Sequence, residues 1–482
     1  MGREHQAVFE TQPVFKAILR LALPTMIGQV ILVLYNMADT FFIGLTGSDA
    51  MLAAVTVSTP AFMFLSAISN LFGVGGASAI ARALGKKDRE TAGQCASFSF
   101  YGCLTGTLIY SLLVGIFLHQ MVSLLGGSKE PVHRYACTYM RVTVVFGGVC
   151  TSMNALLAHL IRSEGRALQA SAGIALGGII NIILDPVFMY LLFTPGNELL
   201  GAAMATALSN LLALFYFGIV LLKIRRKTVL SIKWTPAVLR TAIPGEILRI
   251  GLPACMMTFC ENLSFSVMDA LTATHGLAFQ AGFGVAKKVN MLAHCMVRGI
   301  SQGVLPLIAY NYAAGKKQRM HSVITTSVLL ATGLAALCTA ASLLFAHPLI
   351  SLFIHHESPS LNHGMVFLRM LCLGCPFSAL AYVLISVFQA VNDSVHSLIL
   401  ALLRKGILDI PLLFVFNRLM PPYGLAWATP AADLACALCA VVLYEVFRKR
   451  ISPGTDLVKF RHIPYNQTGI RVCNWMKAFF MR

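Results

Sequence analysis

The stretch of sequence at residues 15–44 reads FKAILRLALPTMIGQVILVLYNMADTFFIG. As a helix it would be about 45 Å long, which exceeds the roughly 30 Å hydrocarbon layer of a bilayer. Its charged residues are Lys16 and Arg20 near the start and Asp39 near the end. The stretch therefore predicts a membrane-spanning helix that carries one carboxyl group far from its basic end.

Apolar stretches of similar length recur along the chain, which contains 57% hydrophobic and 12% charged residues. A soluble protein of 482 residues would need far more polar surface. The further stretches are residues 50–81, 92–119, 134–161, 167–193, 199–222, 247–273, 278–310, 321–346, 364–390, 396–419 and 424–447. Backbone groups in lipid must bond internally, and these stretches lack the period-2 alternation of barrel strands. We therefore predict an all-α polytopic membrane protein with about twelve transmembrane helices.

The net charge of +18 is concentrated in alternate connections between the stretches. The basic residues of these connections are Lys86, Lys87, Arg89, Arg162, Arg166, Lys223, Arg225, Arg226, Lys227, Lys316, Lys317 and Arg319. Loops rich in Lys and Arg favour the cytoplasmic side of a membrane. We predict that these connections and both termini are cytoplasmic, in a multi-pass protein of the cell inner (cytoplasmic) membrane. Because topology accounts for the charge, we expect no nucleic-acid partner.

The two halves of the chain resemble each other weakly but in order, at a nearly constant separation along the sequence. The matching pairs are Leu23-Pro24 with Leu252-Pro253, Asp39 with Asp269, Gly85-Lys86-Lys87 with Gly315-Lys316-Lys317, Arg141 with Arg369, and Asn181 with Asp409. Six stretches per half is an even number, so both halves enter the membrane with the same orientation. We predict two six-helix lobes related by a pseudo-two-fold axis along the membrane normal.

This repeat divides the chain into five predicted parts. They are a cytoplasmic N-terminus (1–14), an N-lobe (15–222), a cytoplasmic linker (223–246), a C-lobe (247–447) and a basic cytoplasmic tail (448–482). The tail from Ile451 to Arg482 combines basic with apolar residues. We expect it to lie on the inner membrane face, attracted by anionic lipid.

Two acids of the N-lobe, Asp39 and Asp185, lie at a similar depth in the predicted outer half of the membrane. An ionisable group at that depth costs at least about 2.5 kcal/mol on insertion scales, which favours a functional role. Tyr35 and Asn181 each precede one acid by four residues and so share its helix face, and Thr206 has a similar depth. These five residues predict a pocket for a coupling cation. A proton suits a carboxylate that is removed from water, and sodium suits the same hard oxygen ligands.

The C-lobe offers secondary candidates in Glu261, Asp269 and Arg298, all within predicted spans. An unpaired Arg298 would be costly in the membrane. Pairing of Arg298 with Glu261 or with Asp269 and ion binding by these acids are equally compatible with the sequence.

The sequence contains no Walker loop GxxxxGK[ST], so we expect an ion gradient to supply energy. No cofactor is predicted apart from H+ or Na+ as coupling ion. The thirteen cysteines show no metal-site spacing and are interpreted as small buried hydrophobes. An outer loop that contains His347, His355, His356, Glu357 and His363 could bind a metal, but an ordinary polar loop is the preferred interpretation, and no metal is predicted.

Several segments, in this order, resemble the multidrug and toxic compound extrusion (MATE) family over nearly the whole chain. They are Leu23-Pro24 with Asn36 to Thr40, Ala81 to Lys87, Arg162 to Gly165, Asn181 to Pro186, and Gly299 to Gly303 leading to Pro306 and Asn311-Tyr312. The details look most like the bacterial branches with an acidic ion site in the N-lobe. The resemblance implies that Asp39 and Asp185 carry the coupling ion, with Tyr35, Asn181 and Thr206 around them. It also implies secondary active efflux of bulky, amphipathic, often cationic compounds by antiport.

Two other functions compete with drug efflux. A lipid or lipid-linked sugar flippase of the same superfamily would line its cavity with basic residues. Here the interior candidates are mainly acidic, with Arg298 as the clearest exception, so cationic cargo is favoured. A membrane-embedded transferase would show paired acids or histidines at an interfacial loop, and we do not expect an enzyme. The expected partners are small molecules and membrane lipid, without an obligate protein partner.

Overall fold

The structure is a computed structural model that describes residues 3–193, 196–231, 233–234, 236–354 and 358–451. Nearly all of the predicted basic tail therefore lies outside the described residues. The same is true of three members of the histidine loop, His355, His356 and Glu357.

Both halves of the chain consist mainly of helices. The first half contains α1 (Arg3–Glu10), α2 (Val14–Leu45), α3 (Asp49–Gly85), α4 (Arg89–Ile116), α5 (Leu118–Leu124), α6 (Val132–Met140), α7 (Gly148–Ser163), α8 (Ala167–Pro186) and α9 (Glu198–Ile224). The second half contains α10 (Ile243–Ala273), α11 (Leu277–Ala313), α12 (Lys317–Leu344), α13 (Ala346–Ser351), α14 (Pro359–Leu371), α15 (Cys375–Ala390), α16 (Ser394–Leu402), α17 (Asp409–Leu419) and α18 (Leu425–Ile451). Short π-helical segments cover Arg141–Phe146, Val187–Leu192 and Leu403–Ile407, and 3-10 segments cover Pro236–Arg240 and Cys372–Gly374.

The predicted all-α membrane architecture is confirmed. Among the described residues, ten helices are long and apolar enough to span a membrane. An eleventh span is added if the segments Val132–Phe146 and Gly148–Ser163, bent by 49°, count as one. The predicted span at 396–419 is helical as α16 and α17, but the π segment Leu403–Ile407 interrupts it. Hydropathy therefore located the apolar stretches correctly and did not reveal this break.

Polar side chains fix where the helices begin. Ser48 accepts a hydrogen bond from the backbone N–H of Met51 at the start of α3, and Asp88 accepts one from Thr91 at the start of α4. These N-caps satisfy backbone donors that the first helical turn leaves free. Asp88 lies in one of the connections that are rich in Lys and Arg. We call the end of the bundle that contains these connections the basic end.

The same pairs of helices pack in both halves of the chain. α2 packs on α8, and α10 packs on α16. α3 packs on α4, α6 and α7, and α11 packs on α12, α14 and α15. The helix ends at Leu45 and Ala273 are separated along the sequence by the same interval as those at Gly85 and Ala313. The matches of Asp39 with Asp269 and of Gly85-Lys86-Lys87 with Gly315-Lys316-Lys317 span a slightly longer interval, so each is displaced by two positions. Two positions rotate a side chain by about 200° around the helix, so these two acids are not equivalent.

The two halves meet along α3 with α10 and along α2 with α11. A Cβ atom on Gly251 would lie 1.7 Å from the backbone oxygen of Leu71, and one on Gly75 would lie 2.2 Å from that of Ile247. Only glycine allows the backbones of α3 and α10 to approach so closely. Nearer the basic end, Arg82 Nη2 lies 2.7 Å from Glu246 Oε1. We call this contact region between the halves the seam.

Candidate functional site

The N-lobe pocket is built by three helices that pack together. Tyr35 and Asp39 lie one turn apart on α2, and Asn181 and Asp185 lie one turn apart on α8. Thr206 lies on α9, which packs on α8. α2 and α8 pack closely here, because a Cβ atom on Gly178 would lie 3.0 Å from the side chain of Ile31 and 3.4 Å from that of Tyr35. The structure thus brings together the five residues that the sequence predicted as one pocket.

Asn181 organises the α8 side of the pocket. Its Nδ2 donates to Asp185 Oδ1 at 3.1 Å and to Thr206 Oγ1 at 3.3 Å. The three side chains are fully or almost fully buried. Since an amide nitrogen has two hydrogens, both donors of Asn181 are used, and its own carbonyl oxygen points elsewhere.

Three buried oxygen atoms of the pocket have no hydrogen-bond partner among the described residues. They are Asp39 Oδ1, Asp185 Oδ2 and Asn181 Oδ1. Asp39 and Asp185 are also close enough to interact electrostatically. Buried polar atoms normally find a partner, so each exception asks for an explanation. Two carboxylates and an amide oxygen with this unused acceptor capacity have the chemistry of a site for a proton or a hard cation.

Two residues that the sequence interpretation did not assign belong to the surroundings of these acids. Tyr139, buried at the end of α6, interacts electrostatically with Asp39 and Asp185. Lys288, on α11 of the C-lobe, interacts electrostatically with Asp39. A lysine that lies well inside a long apolar helix, as Lys288 does in α11, is the signal that could have identified it.

The charged residues of the C-lobe that the sequence offers as secondary ion-site candidates form ion pairs. Arg298 Nη2 donates to both carboxylate oxygens of Glu261, at 2.6 and 2.5 Å. The hydroxyl of Tyr382 donates to Glu261 at 3.1 Å and accepts from Arg298 at 2.8 Å. The sequence is compatible with pairing of Arg298 to Glu261 or to Asp269, and in the structure Arg298 pairs with Glu261. Asp269 is bound by Lys287 instead, and its side chain is 44% exposed.

Two further ion pairs lie deep in the C-lobe. Lys405 Nζ lies 3.1 Å from Asp409 Oδ2, and Arg404 Nε lies 2.7 Å from Asp433 Oδ1, with all four side chains almost completely buried. Asp409 is the C-lobe counterpart of Asn181, because the same sequence interval separates them as separates the matching helix ends. The C-lobe counterpart of the N-lobe pocket is thus filled by a lysine of the same chain.

The expectation of a mainly acidic interior is wrong. Besides Arg298, the interior of the C-lobe spans carries Lys287, Lys288, Arg404 and Lys405. The prediction rests on the acids within the spans, and these cations offset them. The i, i+4 spacing of Lys405 and Asp409 was a usable signal, since residues so spaced face each other on a helix.

A small cavity of about 60 Å³ lies between the two halves. Its polar lining includes Asn70, His159 and Arg162 from the N-lobe and Glu261, Arg298, Thr258, Gln302 and Tyr382 from the C-lobe. It lies beside the seam, where Asn70 Nδ2 donates to Thr258 Oγ1 at 2.8 Å. Pockets for drug-sized ligands have roughly 300–1,000 Å³, so the two halves would have to separate here to admit such a molecule.

Comparison with known proteins gives concordant results. The MatE family model matches residues 24–187 and 253–415. The multidrug export protein MepA of Staphylococcus haemolyticus (strain JCSC1435) is 30% identical over 94% of this chain and 98% of its own length. MepA of Staphylococcus aureus (strain NCTC 8325 / PS 47) is 29% identical over 95% of this chain and 99% of its own length. A crystal structure of a MATE protein in complex with MaL6 superposes with a TM-score of 0.84 at 25% identity, over 94% of this chain and 99% of that chain.

Proposed function

This chain belongs to the MatE family, and from that premise we propose that it is a secondary active multidrug exporter driven by a cation that binds in the N-lobe pocket. Its relatives named as multidrug export proteins support export of drug-like compounds. As a transporter it carries small molecules across the membrane rather than transforming them. We propose the inner cell membrane as its location, with the basic end in the cytoplasm.

The observation that carries the proposal is the contrast between the two lobes. In the N-lobe, Asp39 and Asp185 lie within electrostatic range of each other, and each leaves a buried oxygen without a partner among the described residues. In the C-lobe, Asp409 and Glu261 are each bound by a cationic side chain. A site can exchange a cation with solvent only if no fixed cation already occupies it. The N-lobe pocket is therefore the better candidate for the coupling ion.

Lys288 suggests how ion binding would affect the arrangement of the lobes. Asp39 belongs to α2 of the N-lobe and Lys288 to α11 of the C-lobe, and the two interact electrostatically. When a proton or Na+ binds Asp39, it neutralises the charge that attracts Lys288. An ion that changes the attraction between two lobes shifts their conformational equilibrium by its differential affinity for the two states. We propose a proton as the first choice and Na+ as the second.

The cavity beside the seam is the proposed site for cargo. Amphipathic cationic compounds remain the proposed substrates, with Glu261 as the anionic group of the lining. The lining also contains Arg162 and Arg298, which favours a second candidate function, the movement of a lipid with an anionic headgroup. The charge of the transported compound distinguishes the two functions. We propose no catalytic activity and no obligate protein partner.

The experiment is dye efflux in inverted membrane vesicles, with pH and Na+ gradients imposed separately. Wild-type protein should move a cationic dye under one of the two gradients. Asp39→Asn and Asp185→Asn should each abolish gradient-driven transport, while Asp269→Asn should cost far less because Asp269 already pairs with Lys287. Normal transport by both N-lobe variants would refute the ion site. Transport of an anionic lipid analogue in place of the dye would favour the second function.

A further inference from the structure

A cluster of metal-binding side chains lies in the N-lobe at the end of the bundle opposite the basic end. His119 lies on α5, and His133 and Cys137 lie one turn apart on α6. His119 Nδ1 is 3.0 Å from His133 Nε2. Cys137 Sγ is 3.5 Å from the first nitrogen and 3.6 Å from the second. The three donor atoms thus form one compact triangle, although the sequence interpretation had assigned no metal site.

The triangle has the dimensions of one face of a tetrahedral zinc centre. Zinc binds histidine nitrogen at about 2.0–2.1 Å and cysteine sulfur at about 2.3 Å. At tetrahedral angles these bond lengths place two nitrogens about 3.3 Å apart and the sulfur about 3.6 Å from each nitrogen. The observed separations therefore require shifts of only a few tenths of an ångström.

A backbone contact prepares His133 to bind a metal. His133 Nδ1 lies 2.8 Å from the carbonyl oxygen of Gly127, a distance that suits donation of an N–H hydrogen bond. If Nδ1 carries the proton, the lone pair of Nε2 is directed toward His119 and Cys137. Metal-binding histidines almost always donate their second N–H in this way, because it fixes the tautomer and the ring orientation.

The burial of the cluster is also suited to a metal. Cys137 is 4% exposed, His133 is half-buried and His119 is exposed. The buried thiolate would be shielded from oxidants, while the exposed histidine leaves an entry path and a fourth position for water. Thiolate together with imidazole prefers zinc over magnesium or calcium.

We propose that His119, His133 and Cys137 form a binding site for Zn2+ that ties α5 to α6. The site is separate from the N-lobe pocket, but it lies on the helix that carries Tyr139. Cys137 lies two residues before Tyr139, which interacts with Asp39 and Asp185. A bound ion would therefore restrain the helix that holds Tyr139 within electrostatic range of these acids.

Metal titration of the purified full-length protein tests the site. The protein is prepared without a histidine tag, in detergent and with reduced thiols, and is titrated with Co2+ as a spectroscopic substitute for Zn2+. Wild-type protein should develop a thiolate-to-cobalt absorption band that saturates at one Co2+ per chain and disappears when Zn2+ is added. The affinity should fall at lower pH, because the ligands must lose protons to bind the metal.

Variants identify the ligands. Cys137→Ser should abolish the thiolate band, and His133→Ala should weaken binding by at least about 100-fold, since even the loss of an outer-shell partner costs about 10–100-fold. Cys150→Ser and His347→Ala are the controls and should bind as wild type does, because neither residue belongs to the cluster. A wild-type protein without the band, or a band that survives Cys137→Ser, would overturn the proposal. If Cys137→Ser fails to fold, as judged by size-exclusion chromatography, the titrations of wild type and His133→Ala still show whether the metal site exists.

Discussion

Replacing Lys405 with methionine would remove the ammonium group that neutralises Asp409 inside the C-lobe. Lys405 Nζ lies 3.1 Å from Asp409 Oδ2, with side chains 3% and 0% exposed. At that separation and an effective dielectric constant of about 20, the attraction is about 5 kcal/mol before the cost of desolvation. Breaking a buried pair by removing one partner typically costs about 3–5 kcal/mol. Ser264 and Thr429 also donate to Asp409 and would remain, so the lower end of that range is expected.

A double-mutant cycle measures this pair in isolation. Lys405→Met, Asp409→Asn and the double variant are compared by thermal unfolding in detergent. Each single variant leaves one buried charge unpaired and should melt several degrees below wild type. The double variant leaves none and should recover most of the larger loss. Additive losses would refute the reasoning, because they would mean that the two side chains do not stabilise each other.

The single variant Lys405→Met makes a second outcome measurable. In this variant, the buried carboxylate of Asp409 can be neutralised only by an external cation or a proton. We infer the same condition for Asp39 and Asp185 in the N-lobe. The melting temperature of Lys405→Met should therefore rise with added Na+ or with falling pH, more steeply than that of the double variant. If neither treatment stabilises it selectively, an unpaired buried carboxylate in this fold does not recruit a cation.

Three further predictions concern the seam, the cavity and a helix cap. Gly251→Ala should lose about 1–3 kcal/mol of stability in thermal unfolding because its Cβ would overlap the backbone of α3, whereas Gly245→Ala, with open space around it, should not. Arg298→Gln frees the carboxylate of Glu261 in the cavity, so vesicle assays should show a lower KM for cationic dyes and a higher KM for anionic ones; unchanged values would remove this pair from cargo selection. Hydrogen bonds from the first turn of α4 hold the pKa of Asp88 below its usual value. The ionised cap therefore stabilises the fold at neutral pH, and the difference in melting temperature between wild type and Asp88→Ala should shrink as the pH falls through that pKa; a constant difference would contradict the assignment.

The helices could be predicted because the bilayer imposes a minimum length and an apolar composition on every span. The stretch at 50–81, for example, is found as α3 from Asp49 to Gly85. The π segment Leu403–Ile407 could not be predicted, because apolar composition does not determine which carbonyl each N–H reaches.

The N-lobe pocket was predictable because its residues follow two local rules. An acid inside a span is costly, and a polar residue four positions earlier shares its face, which selected Asp39 with Tyr35 and Asp185 with Asn181. Tyr139 obeys neither rule, and only the packing of α6 brings it within electrostatic range of Asp39 and Asp185. The cluster of His119, His133 and Cys137 also depends on tertiary packing, since His119 and Cys137 come together only when α5 folds back against α6.

Ion release on substrate binding tests the central claim, that the N-lobe acids hold the coupling cation, without the need for vesicles. A transported dye is added to purified protein in weakly buffered detergent solution, and released protons and displaced Na+ are counted. Wild type and Asp269→Asn should release one of these ions, and the double variant Asp39→Asn/Asp185→Asn, which still binds dye, should release none. Undiminished ion release by that double variant would mean that the N-lobe acids do not hold the coupling cation.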